Sequence, residues 1–365
     1  MRTLAKLFTA KYIGLIVSVL LSSGVFSQEI IVKDNNPDIQ YSGRMELNDT
    51  AAVISWTGSS VQFNFRGTSV KALLRDEDGN NYYNVIVDNQ ILQRLHLTKG
   101  KHEYILCSGL KNTKHSLQLF KITEAAFGKT WVYQFRLNSD AKLLPPPPVP
   151  KRKIVFYGNS ITCGYAVEDS SGNNGAPEYE NGYLSYATVT AHHFHADFHC
   201  ISKSGIGIVI SWFPLTMPEM YDRLYYNKPD IKWNFTKYTP QIVVVNLFQN
   251  DSWLVNMPDN AEFKRLFDKT PPTSASIVNA YESFIKNLIL HYPKSKIICA
   301  LGNMDASKKG SPWIDYIKKA VADINNKNVD TCIFPYKGTP GHPDEKAQRA
   351  MADQLIAFIN KNIQW

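Results

Sequence analysis

Four short stretches of this chain hold residue types that can carry out acyl transfer. Ser160 lies in Tyr157-Gly158-Asn159-Ser160-Ile161-Thr162-Cys163-Gly164, directly after the apolar run 154–157. A serine at a strand-to-loop turn presents its hydroxyl and a backbone N–H to the same space, which suits a nucleophile whose attack creates an oxyanion. The same residue types also make a helix cap or a plain turn. The second stretch is Ser202-Lys203-Ser204-Gly205-Ile206-Gly207, where glycine allows close backbone approach and an N–H donor. In the third, Phe248-Gln249-Asn250-Asp251, the Asn250 amide can donate to a developing oxyanion, or the pair can serve as a turn. The fourth, Gly338-Thr339-Pro340-Gly341-His342-Pro343-Asp344, places His342 in a loop with Pro343 suited to the first helical position. A loop histidine at a sheet edge can act as a general base.

These stretches need a scaffold that brings loops together, and the pattern around them supplies one. From residue 154 onward, apolar runs alternate with helix-period segments. Strands are expected at 154–157, 197–201, 241–247, 296–301 and 329–334, and helices at 183–194, 276–291, 313–324 and 343–363. Alternation of this kind argues for a parallel sheet covered on both faces, with function in loops beyond the C-terminal strand ends. All four stretches fall at such ends. Before residue 145 the pattern is different, with short alternating runs such as Val61-Gln62-Phe63-Asn64-Phe65 and Val70-Lys71-Ala72-Leu73-Leu74, broken by Asp78-Gly79-Asn80 and similar turns. That spacing suggests an antiparallel sandwich. The expected division is a β-sandwich over 28–144, a proline-rich linker over 145–151 and an α/β domain over 152–365. Consecutive prolines favour stiff polyproline II, so the linker reads as a semi-rigid spacer.

The order Ser, Gly, Asn, His on successive strand ends resembles the SGNH (GDSL-type) hydrolase superfamily. The opening GNSITCGY is close to the GDSITCGYG of carbohydrate esterase family two, with Asn159 in place of a common Asp. The N-terminal Ser42-Gly43-Arg44, Ser55-Trp56-Thr57-Gly58-Ser59 and Val85-Ile86-Val87-Asp88 resemble the jelly-roll-like sandwich that precedes the catalytic domain in that family. The resemblance implies Ser160 as nucleophile and His342 as base. It implies an oxyanion hole built from the Ser160 and Gly205 N–H groups (Gly207 being the alternative register) and the Asn250 side chain. It also implies an acetylated carbohydrate as substrate, with no metal or organic cofactor. Two departures stand out. Thr339 occupies the position of the Asp in the usual DxxH, which implies a Ser–His dyad oriented by a backbone carbonyl, with Asp344 as an alternative orienter or a helix cap. Phe248 replaces the glycine of GxND and is expected to narrow or reshape the pocket.

Other features bear on function more weakly. Trp212 and Trp253 follow the second and third stretches and can stack on a sugar or simply pack. His192, His193, His195 and His199 cluster in sequence, but their expected split between a helix and a strand argues against a shared metal. The five cysteines form no CxxC pair and read as buried thiols. With 365 residues, 44% of them hydrophobic, the chain can bury one large core or two moderate ones. Of its formal charge of +8, Arg2, Lys6 and Lys11 account for three, and the remaining +5 forms no basic stripe, which excludes nucleic-acid binding. Residues 1–27 have the basic start, apolar core and small-residue end of a secretory signal, with a cut after Ser27. Export to the periplasm or the extracellular space is expected, with no stable membrane insertion after cleavage. Two rival readings remain at this level: an SGNH lipid or thioester hydrolase, and a catalytically impaired glycan-binding protein.

Overall fold

The computed structural model describes residues 28–365, so the expected signal at 1–27 lies outside the described residues. The N-terminal part is two antiparallel sheets. One runs in the order Met45–Leu47, Ala52–Ile54, Thr130–Leu137, Val70–Asp76, Gly100–Cys107, with Ile30–Lys33 also pairing with Thr130–Leu137. The other runs Lys142–Leu144, Ser60–Gly67, Thr113–Lys121, Tyr82–Val87, Gln90–His96, with Gln40–Ser42 on Ser60–Gly67. Alternation decides which side chains face inward. In Val70–Asp76, Val70, Ala72 and Leu74 are buried and meet Phe63, Phe65, Leu117 and Leu119 of the facing sheet.

The C-terminal part is a five-stranded parallel sheet in the order Asp197–Ser202, Lys153–Gly158, Ile242–Asn246, Lys296–Leu301, Val329–Ile333. In chain order this is 2-1-3-4-5, which puts the topological switch point between the strands ending at Gly158 and Asn246. Successive residues feed opposite faces. Val155 and Tyr157 pack under the helices Ser274–His291 and Pro312–Ile324, while Ile154 and Phe156 pack under Tyr186–His193 and Glu345–Asn362. The two-domain architecture expected from the pattern is therefore the observed one. The last helix starts at Glu345 rather than at Pro343, because Asp344 caps it by accepting the Ala347 N–H at 2.8 Å. Short helices at Gln249–Leu254 and Ala261–Phe267 carry too few residues for a periodic signal to stand out.

The domains meet through a shared core and not through the proline run alone. Trp56 and Ala125 of the sandwich belong to the core on one face of the parallel sheet, and Ile86, Phe120 and Ile122 to the core on the other. Arg44, fully buried, donates to the carbonyls of Tyr221 (2.6 Å) and Arg223 (2.8 Å), and the Trp56 indole donates to Leu224 O (2.8 Å). Loss of either partner would leave a buried polar group unpaired, so these contacts set the mutual orientation of the domains. Among the described residues no helix is long and apolar enough to cross a membrane.

Candidate active site

Ser160 opens a four-residue helix, Ser160–Cys163, at the end of the central strand Lys153–Gly158. Asn159 is the cap of that helix, accepting the Ile161 N–H through Oδ1 at 3.1 Å, so the serine is released from the capping role. The turn is tied from below by Gln348 of the C-terminal helix, whose amide donates to Ile161 O at 2.9 Å and accepts from Tyr186 N at 2.8 Å. Sequence reading missed this buried glutamine, since a polar residue in an amphipathic helix is ordinarily solvent-facing.

His342 Nε2 lies 2.9 Å from Ser160 Oγ, and His342 Nδ1 lies 3.0 Å from Gly172 O. A carbonyl only accepts, so Nδ1 carries the proton and Nε2 is free to accept from the serine hydroxyl. Gly172 O also receives the His342 backbone N–H at 2.8 Å. A side chain at Gly172 (φ +67°) would come within 2.9 Å of His342 N and O, so only glycine allows this approach. The loop is shaped by Asp169, whose carboxylate accepts the N–H groups of Asn173 and Asn174. Its pKa is held down to about 2, chiefly by the Ser171 hydroxyl. The run Asp-Ser-Ser-Gly-Asn-Asn-Gly at 169–175 was the available signal, but it reads as an ordinary turn cluster. Burial pushes the His342 imidazole down to about 4, outweighing the Gly172 carbonyl, and Lys337 adds to the depression. Tyr165 packs against the imidazole at 4.4 Å between ring centroids.

Asn250 sits in the helix after the strand Ile242–Asn246, across the switch point from Ser160. Its amide orientation is fixed: Oδ1 accepts the Trp212 indole N–H (3.1 Å) and Nδ2 donates to Ile206 O (2.8 Å). One amide hydrogen is left over. Gly205 (φ +82°) has no acceptor for its N–H among the described residues, whereas the Gly207 N–H is taken by Ser211 Oγ at 2.9 Å. The uncommitted donor is therefore at Gly205. Asp251, fully buried, accepts the N–H groups of Ile208, Val209 and Ile210 and locks the same loop from behind. Burial raises its pKa to about 6 against those three hydrogen bonds.

Residues 41–147 match the family described as Carbohydrate esterase 2 N-terminal. The fold superposes on a family two carbohydrate esterase from Clostridium thermocellum, solved in complex with cellohexaose. The TM-score is 0.79 at 32% identity, covering 88% of this chain and 98% of that one. The chain belongs to carbohydrate esterase family two. It is 32% identical to the cellulase/esterase CelE of Acetivibrio thermocellus over 91% of its own length, but spans only 40% of that relative. It is 23% identical to an acetylxylan esterase / glucomannan deacetylase of Cellvibrio japonicus, covering 94% of both chains. Family two is a family of carboxylic ester hydrolases.

The departures from the family-two pattern have structural answers. Thr339 does not reach the histidine; its hydroxyl and carbonyl accept from Lys337 Nζ, each at 2.8 Å. Asp344 is the helix cap described above. Phe248 does not narrow the pocket as expected. It is fully buried, with its ring 4.8 Å from Tyr281 and 5.0 Å from Trp313, and only its backbone keeps the left-handed conformation (φ +81°) that glycine would favour. The ring offsets the strain of that conformation, so F248G loses about 3–5 kcal/mol of packing and regains about 1–2 kcal/mol of strain. A net destabilisation of about 1–4 kcal/mol is expected in urea melts; an unchanged midpoint would show that the ring contributes nothing.

Trp212 is 45% exposed beside Gly205, whereas Trp253 is turned to Asp305, donating to its carboxylate at 2.8 Å. Three of the four histidines of the sequence cluster pack against different aromatic partners. His199 stacks on Tyr238 at 3.7 Å, His192 packs edge-on against Tyr183 and Phe120, and His193 against Phe194. All five cysteines are buried and none is in a disulfide.

Proposed function

We propose that this protein is an exported serine esterase that removes O-acetyl groups from a carbohydrate by a Ser–His dyad. The observation that carries the reading is the chain of contacts from Gly172 O through the imidazole to Ser160 Oγ. Ser160 Oγ attacks the acetyl carbonyl as His342 Nε2 takes its proton, so the Oγ–C bond forms and the carbonyl oxygen becomes an oxyanion. Donors for that oxygen are the Ser160 and Gly205 N–H groups and the spare hydrogen of the Asn250 amide. Collapse breaks the bond to the sugar oxygen, which leaves with the proton from His342. Water, activated by the same imidazole, then hydrolyses the acetyl-enzyme. The exposed Trp212 next to the Gly205 loop offers a face for a sugar ring, while Trp253 is held by Asp305 and is the weaker candidate. The relatives named for acetylxylan and glucomannan deacetylation support the acetyl carbohydrate. Export rests on the character of residues 1–27.

The test is acetate release from acetylated xylan, glucomannan and cello-oligosaccharides, compared with hydrolysis of long-chain acyl esters and thioesters. Turnover confined to long-chain esters or thioesters would replace this reading with a lipid or thioester hydrolase. Glycan binding with no ester turnover would replace it with a binding protein. The dyad makes a further claim about Asp344. D344A loses the helix cap, worth about 1 kcal/mol, yet keeps kcat within about twofold, since the carboxylate does not contact the imidazole. A near-complete loss of activity in a folded D344A protein would restore a triad.

A further inference from the structure

Glu124 is an acid of the sandwich whose side chain reaches the proposed catalytic loops. It follows the strand Thr113–Lys121 and is 3% exposed. Its Oε2 accepts the Ser204 backbone N–H at 2.7 Å and lies 3.5 Å from the Cys163 thiol, whose one hydrogen is shared between it and Ser202 Oγ at 3.2 Å. Ser204 immediately precedes Gly205, and Cys163 closes the short helix that Ser160 opens. One carboxylate oxygen therefore links the segment carrying the Gly205 donor to the segment carrying the nucleophile. Glu124 is itself held firmly. Its carbonyl and that of Thr123 accept from the buried Lys121 Nζ at 3.0 and 2.7 Å, and its N–H donates to the buried Glu180 carboxylate. Hydrogen bonds to a carboxylate in such a dry setting are strong and directional.

We propose that Glu124 is a positioning residue, fixing the Gly205 N–H relative to Ser160 from across the domain boundary. The sandwich is then a working part of the catalytic centre and not only an appendage. The inference rests on the acyl-transfer reading above. Misplacement of reacting groups by about 1 Å costs about 10²-fold in rate, and loss of one oxyanion donor about 10²–10³-fold.

The full chain carrying E124A is expected to lose about 30–300-fold in kcat on an acetyl ester, with KM within about threefold. E124Q keeps an oxygen acceptor of the same reach and is expected to recover to within about fivefold of wild type. E124D retracts the carboxylate by one methylene without opening a large cavity, and a loss of about 10-fold in kcat is expected. It serves as the decisive variant if E124A does not fold. The second readout is the rate of Ser160 labelling by a fluorophosphonate, which needs the oxyanion donors but no sugar. If acetylated carbohydrates are not turned over but labelling slows in E124A or E124D and recovers in E124Q, the inference stands while the substrate reading falls. Wild-type kcat and labelling in a folded E124A or E124D protein overturn it, as does an E124Q protein as impaired as E124A. A wild type that neither labels nor releases acetate sinks both readings.

Discussion

Replacing Ser160 by alanine is expected to lower kcat for acetate release by about 10⁵–10⁶-fold, with KM for the carbohydrate little changed. In the proposed dyad the nucleophile and its base act as one unit, so removing either forfeits nearly the whole contribution of the pair, and only the oxyanion donors and binding contacts remain. The fold should tolerate the change. Ser160 Oγ has the imidazole as its hydrogen-bond partner, while Asn159 and Gln348 hold the turn without it. The measurement is acetate release by wild type and S160A, with thermal melts alongside. Equal release from both would reject Ser160 as nucleophile, and loss of the folded transition would make the rate comparison uninterpretable as chemistry.

His342→Ala is expected to cost about as much, and the wild-type pH profile should carry a signature of the dyad. Because burial depresses the imidazole to about 4, His342 stays neutral, and able to accept the serine proton, well below the usual histidine range. The acid limb of kcat/KM should therefore fall near pH 4 and not near 6.5. The depressed pKa also makes a stability statement. A histidine kept neutral in the folded state contributes stability that is present above its unfolded pKa and is lost as pH falls through the folded one. His199, buried against Tyr238 and pushed well down by burial, acts in the same direction. An acid limb near 6.5 would mean that burial does not depress the imidazole in the folded protein.

The two-domain architecture was legible because each half repeats one period. Burial alternates along Val70–Asp76, while Ile242–Asn246 is buried throughout and apolar up to its last residue, as suits a strand covered on both faces. Placement of the candidate residues at strand ends followed from the same reading, since Ser160 and Asn250 directly follow apolar strands. The pocket role expected of Phe248 failed because a motif records which residue departs, not which way its ring turns. Only the surrounding Tyr281 and Trp313 decide that.

Ser160 and His342 are candidates from residue type, order and local turn chemistry, all of which are local properties of the sequence. The group that orients His342 is not. Gly172 lies 170 residues away, contributes only a carbonyl, and is chosen because a glycine lets two backbones approach. The same holds for Glu124 and Gln348, polar residues whose surroundings come from elements distant in sequence. A backbone carbonyl carries no side-chain signature, and a buried polar side chain looks like an exposed one until its partners are assembled around it. Sequence was enough to nominate the fold and the Ser160–His342 pair; the orientation of the imidazole and the support of the loops depend on contacts that exist only in the folded protein.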